Sequence, residues 1–418
     1  MRFSYFDTEV PSKVVKAAAN KKLASYREEL RRVIESQDSK RAEYSLVHAA
    51  DSDLHTKLAE LKKQFKAVKH LVVVGIGGSS LGVEAVHTAL GQGKVRLSVI
   101  DTIAPYEMDI LLDTLTAYKK PEKIAVCVIS KSGETPETLV NASVLLSALE
   151  EYFGTTINQQ IICISDPSTE LARYAKRKKM VSMAMPPSVG GRFSVGTEAS
   201  LVPLALLGHD TDAFIEGLLD ANTEDFEQIA ADGAIEVFEY LKCGYRHYNF
   251  FAFDKRLEKV GAWYRQLFAE SLGKATTSGK KSNRFGMVPT ITTPVELHST
   301  GQLYFSGFPG VFTEFVTFDD ADHEHAIPKA GIAKAYGSYT NQEVAVAIYA
   351  GVVQAYQQEK LPYRSIVLDE PNLAYSLGLY MSLRMREMMY IAALMEVNAF
   401  NQPNVELYKK KTKAVLGL

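Results

Sequence analysis

Residues 124–138 read IAVCVISKSGETPET, and this stretch decides the fold. Its first six residues are apolar without interruption, which is typical of a buried strand in a parallel sheet. Thr135 then suits the N-cap of a helix, and Pro136 suits its first position. The stretch therefore predicts a strand that passes through a short polar loop directly into a helix, which is the repeating unit of an α/β fold.

The same alternation of strand and helix continues on both sides of this stretch. Apolar runs predict further strands of a first sheet at 71–74, 96–101, 160–165 and 179–185. A second alternating region predicts strands at 249–253, 288–292, 312–318 and 365–368. Between 209 and 236 the pattern loosens into acidic helix and loop, which we interpret as a junction between two domains.

The polar loop predicts an anion site. Free backbone N–H groups and the helix dipole favour negative charge at a helix N-terminus. The loop adds three hydroxyl groups and one ammonium group, from Ser130, Ser132, Thr135 and Lys131. A phosphate monoester suits these donors best, whereas a solvated turn with good capping residues is the alternative for one such loop taken alone.

The composition of the chain excludes several classes of function. The 418 residues are enough for two cores, and a net charge of −2 leaves no basic face for nucleic acid. The sequence has neither a long uncharged apolar segment nor a secretory signal, so we expect no membrane contact. Two of the three cysteines, Cys127 and Cys163, lie in apolar runs, which predicts core thiols and a reducing, cytoplasmic location.

Residues 75–82, GIGGSSLG, form a glycine loop between the first strand and a helix. With Asp101 at the end of the next strand, the loop invites a dinucleotide-binding interpretation, but Ser80 stands where the third glycine is expected. Ligands of open α/β sheets bind outside the carboxyl ends of the strands, so this loop and the one at Ser130 should meet. Two donor-rich loops favour a small molecule with a terminal phosphate rather than a dinucleotide.

Two further motifs carry charged groups. Arg192 lies in the glycine-rich segment 190–194 and can hold a negative charge with fixed donors, unless it is simply a surface arginine. Gln266 and Glu270 are four residues apart and share one face of an apolar helix. In these surroundings Glu270 can serve as a proton-abstracting base, and an exposed glutamate near a helix end is the alternative.

Three histidines also need an interpretation. His298 follows a strand and a Thr-Thr-Pro turn, where it can serve as a proton shuttle or hold a purely structural place. His323 and His325 lie in an acidic tract that resembles a metal site. An acidic solvated loop accounts for the same composition, so we predict no bound metal.

Six segments together resemble the phosphoglucose isomerase family, in particular its shorter bacterial branch. They lie in family order at 75–82, 130–138, 190–194, 270–274, 298–302 and 400–409. The resemblance implies two doubly wound parallel-sheet sugar-isomerase domains with helical N-terminal and C-terminal segments. It also implies a homodimer that isomerises glucose 6-phosphate to fructose 6-phosphate without a metal or an organic cofactor. The corresponding segments of the chain are 1–45, 46–208, 209–396 and 397–418.

The resemblance implies a role for each matching residue. Those that would bind substrate are the phosphate ligands Ser130, Lys131, Ser132 and Thr135, and the sugar ligands Gly78, Ser79, Gln266 and Gln402. Glu270 would move a proton between C1 and C2, and Arg192 would stabilise the enediolate. Lys409, and His298 from the neighbouring subunit, would open the sugar ring.

The sequence also departs from the family pattern. Asn404 stands where the family has a small residue, and the region 318–339 fits poorly. Two other functions stay open from the residues alone. One is a non-catalytic sugar-phosphate sensor built on the same domains, and the other is an NAD-dependent dehydrogenase, which only the loop at 75–82 suggests.

Overall fold

The computed structural model describes residues 1–5, 13–91, 93–274, 286–319, 324–402 and 405–417. In this part of the chain the strands are β1 (Arg2–Tyr5), β2 (His70–Val74), β3 (Arg96–Ile100), β4 (Ile124–Ile129), β5 (Ile161–Ser165), β6 (Val181–Ala184), β7 (His247–Ala252), β8 (Val288–Thr292), β9 (Val311–Phe318) and β10 (Tyr363–Leu368). The helices are α1 (Lys13–Ser36), α2 (Ser52–Gln64), α3 (Leu81–Leu90), α4 (Pro105–Thr116), α5 (Pro136–Phe153), α6 (Glu170–Arg177), α7 (Glu198–Leu207), α8 (Thr211–Asp220), α9 (Glu224–Lys242), α10 (Glu258–Leu272), α11 (Gly301–Phe305), α12 (Asn341–Gln358), α13 (Leu373–Met395) and α14 (Glu406–Val415).

The first sheet is parallel and has the strand order β3-β2-β4-β5-β6. Alternate residues of its central strands enter different cores: Val73 and Cys127 face one core, whereas Val72 and Cys163 face the other. Helices therefore cover both faces, as the uninterrupted apolar runs predicted. Cys127 and Cys163 are buried thiols, also as predicted.

The second sheet has the order β1-β10-β9-β7-β8 and is mixed. Strands β7 to β10 pair in parallel, but β1 pairs antiparallel with β10 through residues 2–5. The expectation that residues 1–45 form a purely helical segment is therefore wrong at its start. Pairing with a strand more than 350 residues away is a tertiary interaction, which leaves no periodic signal in four residues.

Residues 209–236, which the sequence indicated as acidic helix and loop, are mostly helical. They form α8 and most of α9, and both helices pack on the long buried helix α13. Helices α8 and α13 approach each other closely. A Cβ on Gly217 would lie 2.1 Å from the carbonyl oxygen of Tyr375, and a Cβ on Gly378 would lie 2.1 Å from the carbonyl oxygen of Phe214. Two facing glycines therefore make this helix contact possible.

A fully buried group of charged side chains, the core cluster, joins the second sheet to α9 and α13. Its members are Glu236, Glu314, Arg364, Arg384 and Glu387. Arg364 donates to Glu314 and, at 2.8 Å, to Glu387, while Arg384 donates to Glu314 at 3.0 Å. Burial would raise the pKa of Glu314, but the two guanidinium groups outweigh it and hold that pKa below its usual value.

The core cluster has three carboxylates but only two guanidinium groups. Glu236 is the carboxylate that lies farthest from a guanidinium group. Its nearest guanidinium nitrogen, on Arg364, is 3.7 Å away. Burial raises the pKa of Glu236 to about 8 because Arg364 only partly offsets the loss of hydration. With Glu236 protonated, two carboxylates and two guanidinium groups balance each other in the core.

No helix in the described residues is long and apolar enough to span a membrane.

Candidate active site

The candidate site lies at the edge of the first sheet where its parallel strands end, as predicted. After β2 the turn Gly77–Ser79 leads into α3, and Gly77 has a φ of 61°. Gly78 packs so tightly on the 190–194 loop that a Cβ would lie 2.0 Å from the Gly191 carbonyl carbon. The close approach that glycine permits here joins two protein loops, which argues against a dinucleotide at this position.

The hydroxyl loop after β4 ends with Thr135 at the N-cap and Pro136 as the first residue of α5, as predicted. The Ser130 hydroxyl donates to the Thr135 hydroxyl at 3.2 Å. The Ser132 hydroxyl accepts a hydrogen bond of 3.2 Å from the Glu134 backbone N–H. Donors are thereby gathered at the N-terminus of an 18-residue helix, where an anion is favoured.

Lys131 belongs to the same loop and is half-buried. Burial lowers the pKa of Lys131, and the carboxylate of Asp166 opposes this shift. The Asp166 backbone N–H also donates to the Lys131 carbonyl at 3.1 Å. Gly133 has a φ of 62° and packs against Thr169, so the loop is fixed from its far side as well. A ligand therefore meets donors that are already positioned.

Arg192 is at the centre of the site, and only 2% of its side chain is exposed. Its Nη1 donates to Glu270 Oε2 at 3.0 Å, and its Nε donates to the Ser271 hydroxyl at 3.0 Å. Burial lowers the pKa of Arg192, while the Glu270 carboxylate opposes that shift. The surface-arginine alternative is therefore wrong, and Arg192 is a shielded cation beside a carboxylate.

The remaining donors of Arg192 reach a loop near the C-terminus. Its Nη2 donates to the carbonyl of Ala399 and, at 3.1 Å, to that of Asn401, while its Nη1 donates to Gln402 Oε1 at 3.2 Å. The structure thus brings Gln402 to Arg192 across more than 200 residues of sequence. The two carbonyl acceptors were not predicted, because a backbone carbonyl is present at every residue.

Glu270 lies near the C-terminal end of α10 with 32% of its side chain exposed. Its Oε1 accepts from Gln266 Nε2 at 3.1 Å, so each carboxylate oxygen has one donor. Gln266 Oε1 is buried and has no hydrogen-bond partner among the described residues. The carboxylate is therefore fixed in position yet accessible, and an unused acceptor lies beside it.

Lys274 is a residue to which the sequence analysis gave no role. It follows Glu270 by four residues, and its ammonium group donates to the carbonyl of Asn398. Burial and, to a lesser extent, Arg192 lower the pKa of Lys274 to about 8, against the opposing effect of Glu270. Its spacing from Glu270 is the signal that could have drawn attention to it.

The two residues predicted to open the sugar ring lie on other elements. His298 ends the turn Pro294–His298 after β8 and is exposed, and Lys409 is half-buried on α14. His323 and Asn404 lie outside the described residues, so the predictions that involve them stay predictions. Within the described ranges, no three histidine, cysteine or acidic side chains are grouped as metal ligands would be.

Comparison with known sequences gives a consistent result. The family model described as phosphoglucose isomerase matches residues 59–417. A glucose-6-phosphate isomerase of Thermus thermophilus is 31% identical over 362 residues, covering 84% of each chain. That of Rubrobacter xylanophilus is 32% identical over 367 residues, covering 83% of this chain and 82% of the relative.

Comparison with solved structures agrees with the fold. A hypothetical protein from Thermus thermophilus superimposes with a TM-score of 0.81 at 26% identity, covering 97% of this chain and 98% of that one. A glucose-6-phosphate isomerase from Chlamydia trachomatis has a TM-score of 0.80 at 19% identity, covering 99% and 88% of the two chains. The arrangement of two α/β domains is therefore shared with solved proteins.

Proposed function

The chain belongs to the phosphoglucose isomerase family and is an aldose–ketose isomerase between glucose 6-phosphate and fructose 6-phosphate, and we propose that Glu270 is its base. One observation carries this proposal: the Glu270 carboxylate is partly exposed and is held by Gln266 on one oxygen and by Arg192 on the other. The reaction moves a proton between C1 and C2, so a single base must reach two adjacent carbons from one position. A carboxylate fixed at both oxygens meets that requirement.

Arg192 supplies the charge that this step needs. Removal of the C2 proton of open-chain glucose 6-phosphate leaves negative charge on the two oxygens of an enediolate. A guanidinium group that is shielded from water and already oriented stabilises such a charge without reorganisation. Once the hydroxyl proton has passed from O2 to O1, Glu270 returns its proton to C1, which gives fructose 6-phosphate and regenerates the carboxylate.

The phosphate would bind in the hydroxyl loop. Ser130, Ser132 and Thr135 offer donors at the N-terminus of α5, and Lys131 adds an ammonium group. Anchoring the phosphoryl group at a fixed site leaves the other end of the sugar at a defined distance from the base. The loops that carry Gly78 and Ser79, together with Gln266 and Gln402, would line the sugar.

Ring opening is assigned to His298 and Lys409, and the topology supports a second copy of the chain as the source of His298. Helix α10 connects the parallel strands β7 and β8, so it runs antiparallel to them. Glu270 is therefore near the strand starts, while His298 follows the end of β8. Glu258 begins α10 near the strand ends, and the path along the helix from Glu258 to Glu270 is about 18 Å, more than a histidine side chain can span.

Helix α12 supports the same arrangement. Its sequence is apolar around the circumference, and such a helix is normally buried. Here Val346 and Ile348 are exposed, as are Ile332, Tyr336 and Tyr339 in the preceding segment. Leu297, next to His298, packs on the same small apolar cluster as Val352 and Tyr356 of α12. A second copy that covers this helix would therefore be well placed to exchange histidines in a symmetric dimer.

The test of the proposed base is Glu270→Gln, with Glu258→Gln at the exposed start of the same helix as its control. The amide keeps the size of the side chain but cannot accept the proton, so we expect kcat to fall on the order of 10²–10⁴-fold. Binding of sorbitol 6-phosphate, which has no carbonyl to react, should stay within about threefold by calorimetry. Near-normal turnover in the Glu270 variant would reject the proposal.

Thiol chemistry supports a proposal for the cellular location. Cys127 and Cys163 are free and buried in the first sheet. Free thiols are usual where glutathione and thioredoxin keep cysteine reduced. We therefore propose that the enzyme works in the cytoplasm, and fractionation of cells that express the chain tests this assignment.

A further inference from the structure

Lys274 links the end of α10 to the loop 398–402. Its ammonium group donates to the Asn398 carbonyl, while Asn398 Oδ1 accepts from the backbone N–H groups of Phe400 at 2.8 Å and Asn401 at 3.2 Å. Asn398 is thus fixed on both sides, by its own loop and by Lys274. The contact lies one helical turn beyond Glu270.

The same loop supplies three of the acceptors of Arg192, namely the carbonyls of Ala399 and Asn401 and the amide oxygen of Gln402. Two cations therefore hold one five-residue loop from different elements of the fold. Arg192 comes from the turn at 191–196, and Lys274 comes from the end of the helix that carries Glu270. Any movement of this loop changes the partners of Arg192 directly.

We propose that Lys274 is a positioning residue for the isomerisation, because it holds the 398–402 loop so that Arg192 and Gln402 keep their orientation towards Glu270. The inference rests on the proposed function of that site. The charge of Lys274 also adds to the positive potential where the enediolate forms. Lys274 need not touch the substrate for either effect.

The charge of Lys274 is sensitive to pH in an accessible range. The charged groups that act on it within the described residues are Arg192, which disfavours its protonation, and Glu270, which favours it. Together with burial, the larger cause, they leave its pKa at about 8 instead of 10.5. The ammonium charge is therefore present below pH 8 and is lost as the pH rises through 8. An arginine at this position would stay charged throughout.

The experiment compares Lys274→Met and Lys274→Arg with Lys259→Met, a lysine near the start of the same helix that pairs with Glu84 at 2.8 Å. Misplacing groups around a reacting centre costs up to about 100-fold, so Lys274→Met should lower kcat by roughly 10–100-fold. Its affinity for sorbitol 6-phosphate should change much less. In the parent we expect kcat/KM to fall above pH 8 as Lys274 loses its charge. Lys274→Arg should restore most of kcat and should not show this fall.

Two results would overturn the inference. One is a Lys274→Met variant whose kcat is as close to the parent as that of Lys259→Met. The other is a Lys274→Arg variant that keeps the alkaline fall of kcat/KM. A misfolded Lys274→Met variant is recognised by its circular dichroism, and the pH profile of Lys274→Arg then decides. If Glu270→Gln is inactive while Lys274→Met is normal, the proposed function stands and only this inference fails.

Discussion

At the scale of single residues, Arg192 combines a structural and an electrostatic task. Its guanidinium group has acceptors on two side chains and two carbonyls besides Glu270, and it is almost fully buried. A lysine would keep the charge but has no planar fork of donors to serve these directions at once. Geometry, more than charge, therefore makes arginine necessary at this position.

We expect Arg192→Lys to lower kcat on the order of 10²–10³-fold, the usual loss when one oriented donor to a developing oxyanion is removed. The measurement is steady-state turnover of glucose 6-phosphate. Arg265→Lys, on the exposed side of α10, is the matched control and should behave like the parent. Turnover of Arg192→Lys within threefold of the parent would contradict the role assigned to the guanidinium group.

Glu236 gives a prediction about stability and pH. Its pKa is about 8 in the folded chain against 4.5 ordinarily, so between these values the folded state holds a proton that the unfolded state releases. The stabilisation is complete below pH 4.5 and is lost as the pH rises through 8, with a limiting slope of about 1.4 kcal/mol per pH unit. Glu236→Gln should remove this slope from the free energy of unfolding in urea. Glu216→Gln, on an exposed position of α8, should retain it.

Much of the site could be predicted from side-chain chemistry, since Arg192, Gln266, Glu270 and Gln402 are in contact in the folded chain. The carbonyls of residues 398, 399 and 401 could not, because their use depends on tertiary folding alone. Lys274 was missed for a related reason, since its partner is one of these carbonyls.

At the scale of elements, the close contact between the loops 75–82 and 190–194 can be tested at Gly78. A Cβ there would lie 2.0 Å from the carbonyl carbon of Gly191, and the other atoms that it would meet are also backbone atoms, which cannot rotate away. We expect Gly78→Ala to lower the free energy of unfolding by about 1–3 kcal/mol and to reduce turnover at least about tenfold.

The matched control for this substitution is Gly190→Ala. Gly190 has an extended backbone conformation, and its Cβ would meet only the Phe400 carbonyl oxygen at 4.0 Å. Urea unfolding and turnover should both stay close to the parent. Equal losses in the two variants would mean that the glycine-rich segment needs flexibility and not close contact.

Element prediction succeeded where the periodic signal is local. The strand 124–129 and the strand 288–292 have the predicted bounds, and Gln266 and Glu270 lie on a helix as predicted. It failed for β1, whose four residues become a strand only by pairing with β10. For residues 209–236 it indicated acidic helix and loop, but not that two helices pack there on α13.

At the scale of the whole molecule, the proposed exchange of His298 can be tested by complementation. Chains carrying Glu270→Gln are co-expressed with chains carrying His298→Asn, and the mixed dimer is isolated through two different tags. If His298 crosses the interface, one of the two sites regains both residues, so the mixed dimer should have about half of the parental activity.

The control for this experiment pairs Glu270→Gln with Arg192→Lys. Both residues lie in one chain and contact each other, so no exchange between chains can rebuild a site. We expect this mixed dimer to stay inactive. Two outcomes would contradict the assignment of His298 to a second copy. One is that neither mixed dimer is active, and the other is that the monomeric protein has full turnover.

The distance in sequence between Arg192 and its acceptors has a consequence for synthesis on the ribosome. The guanidinium group binds a carbonyl 207 residues further along the chain. A nascent polypeptide can therefore complete the first sheet and the phosphate loop long before the arginine acquires its acceptors. Turnover in the cell thus begins only after translation has passed the last contact of the arginine.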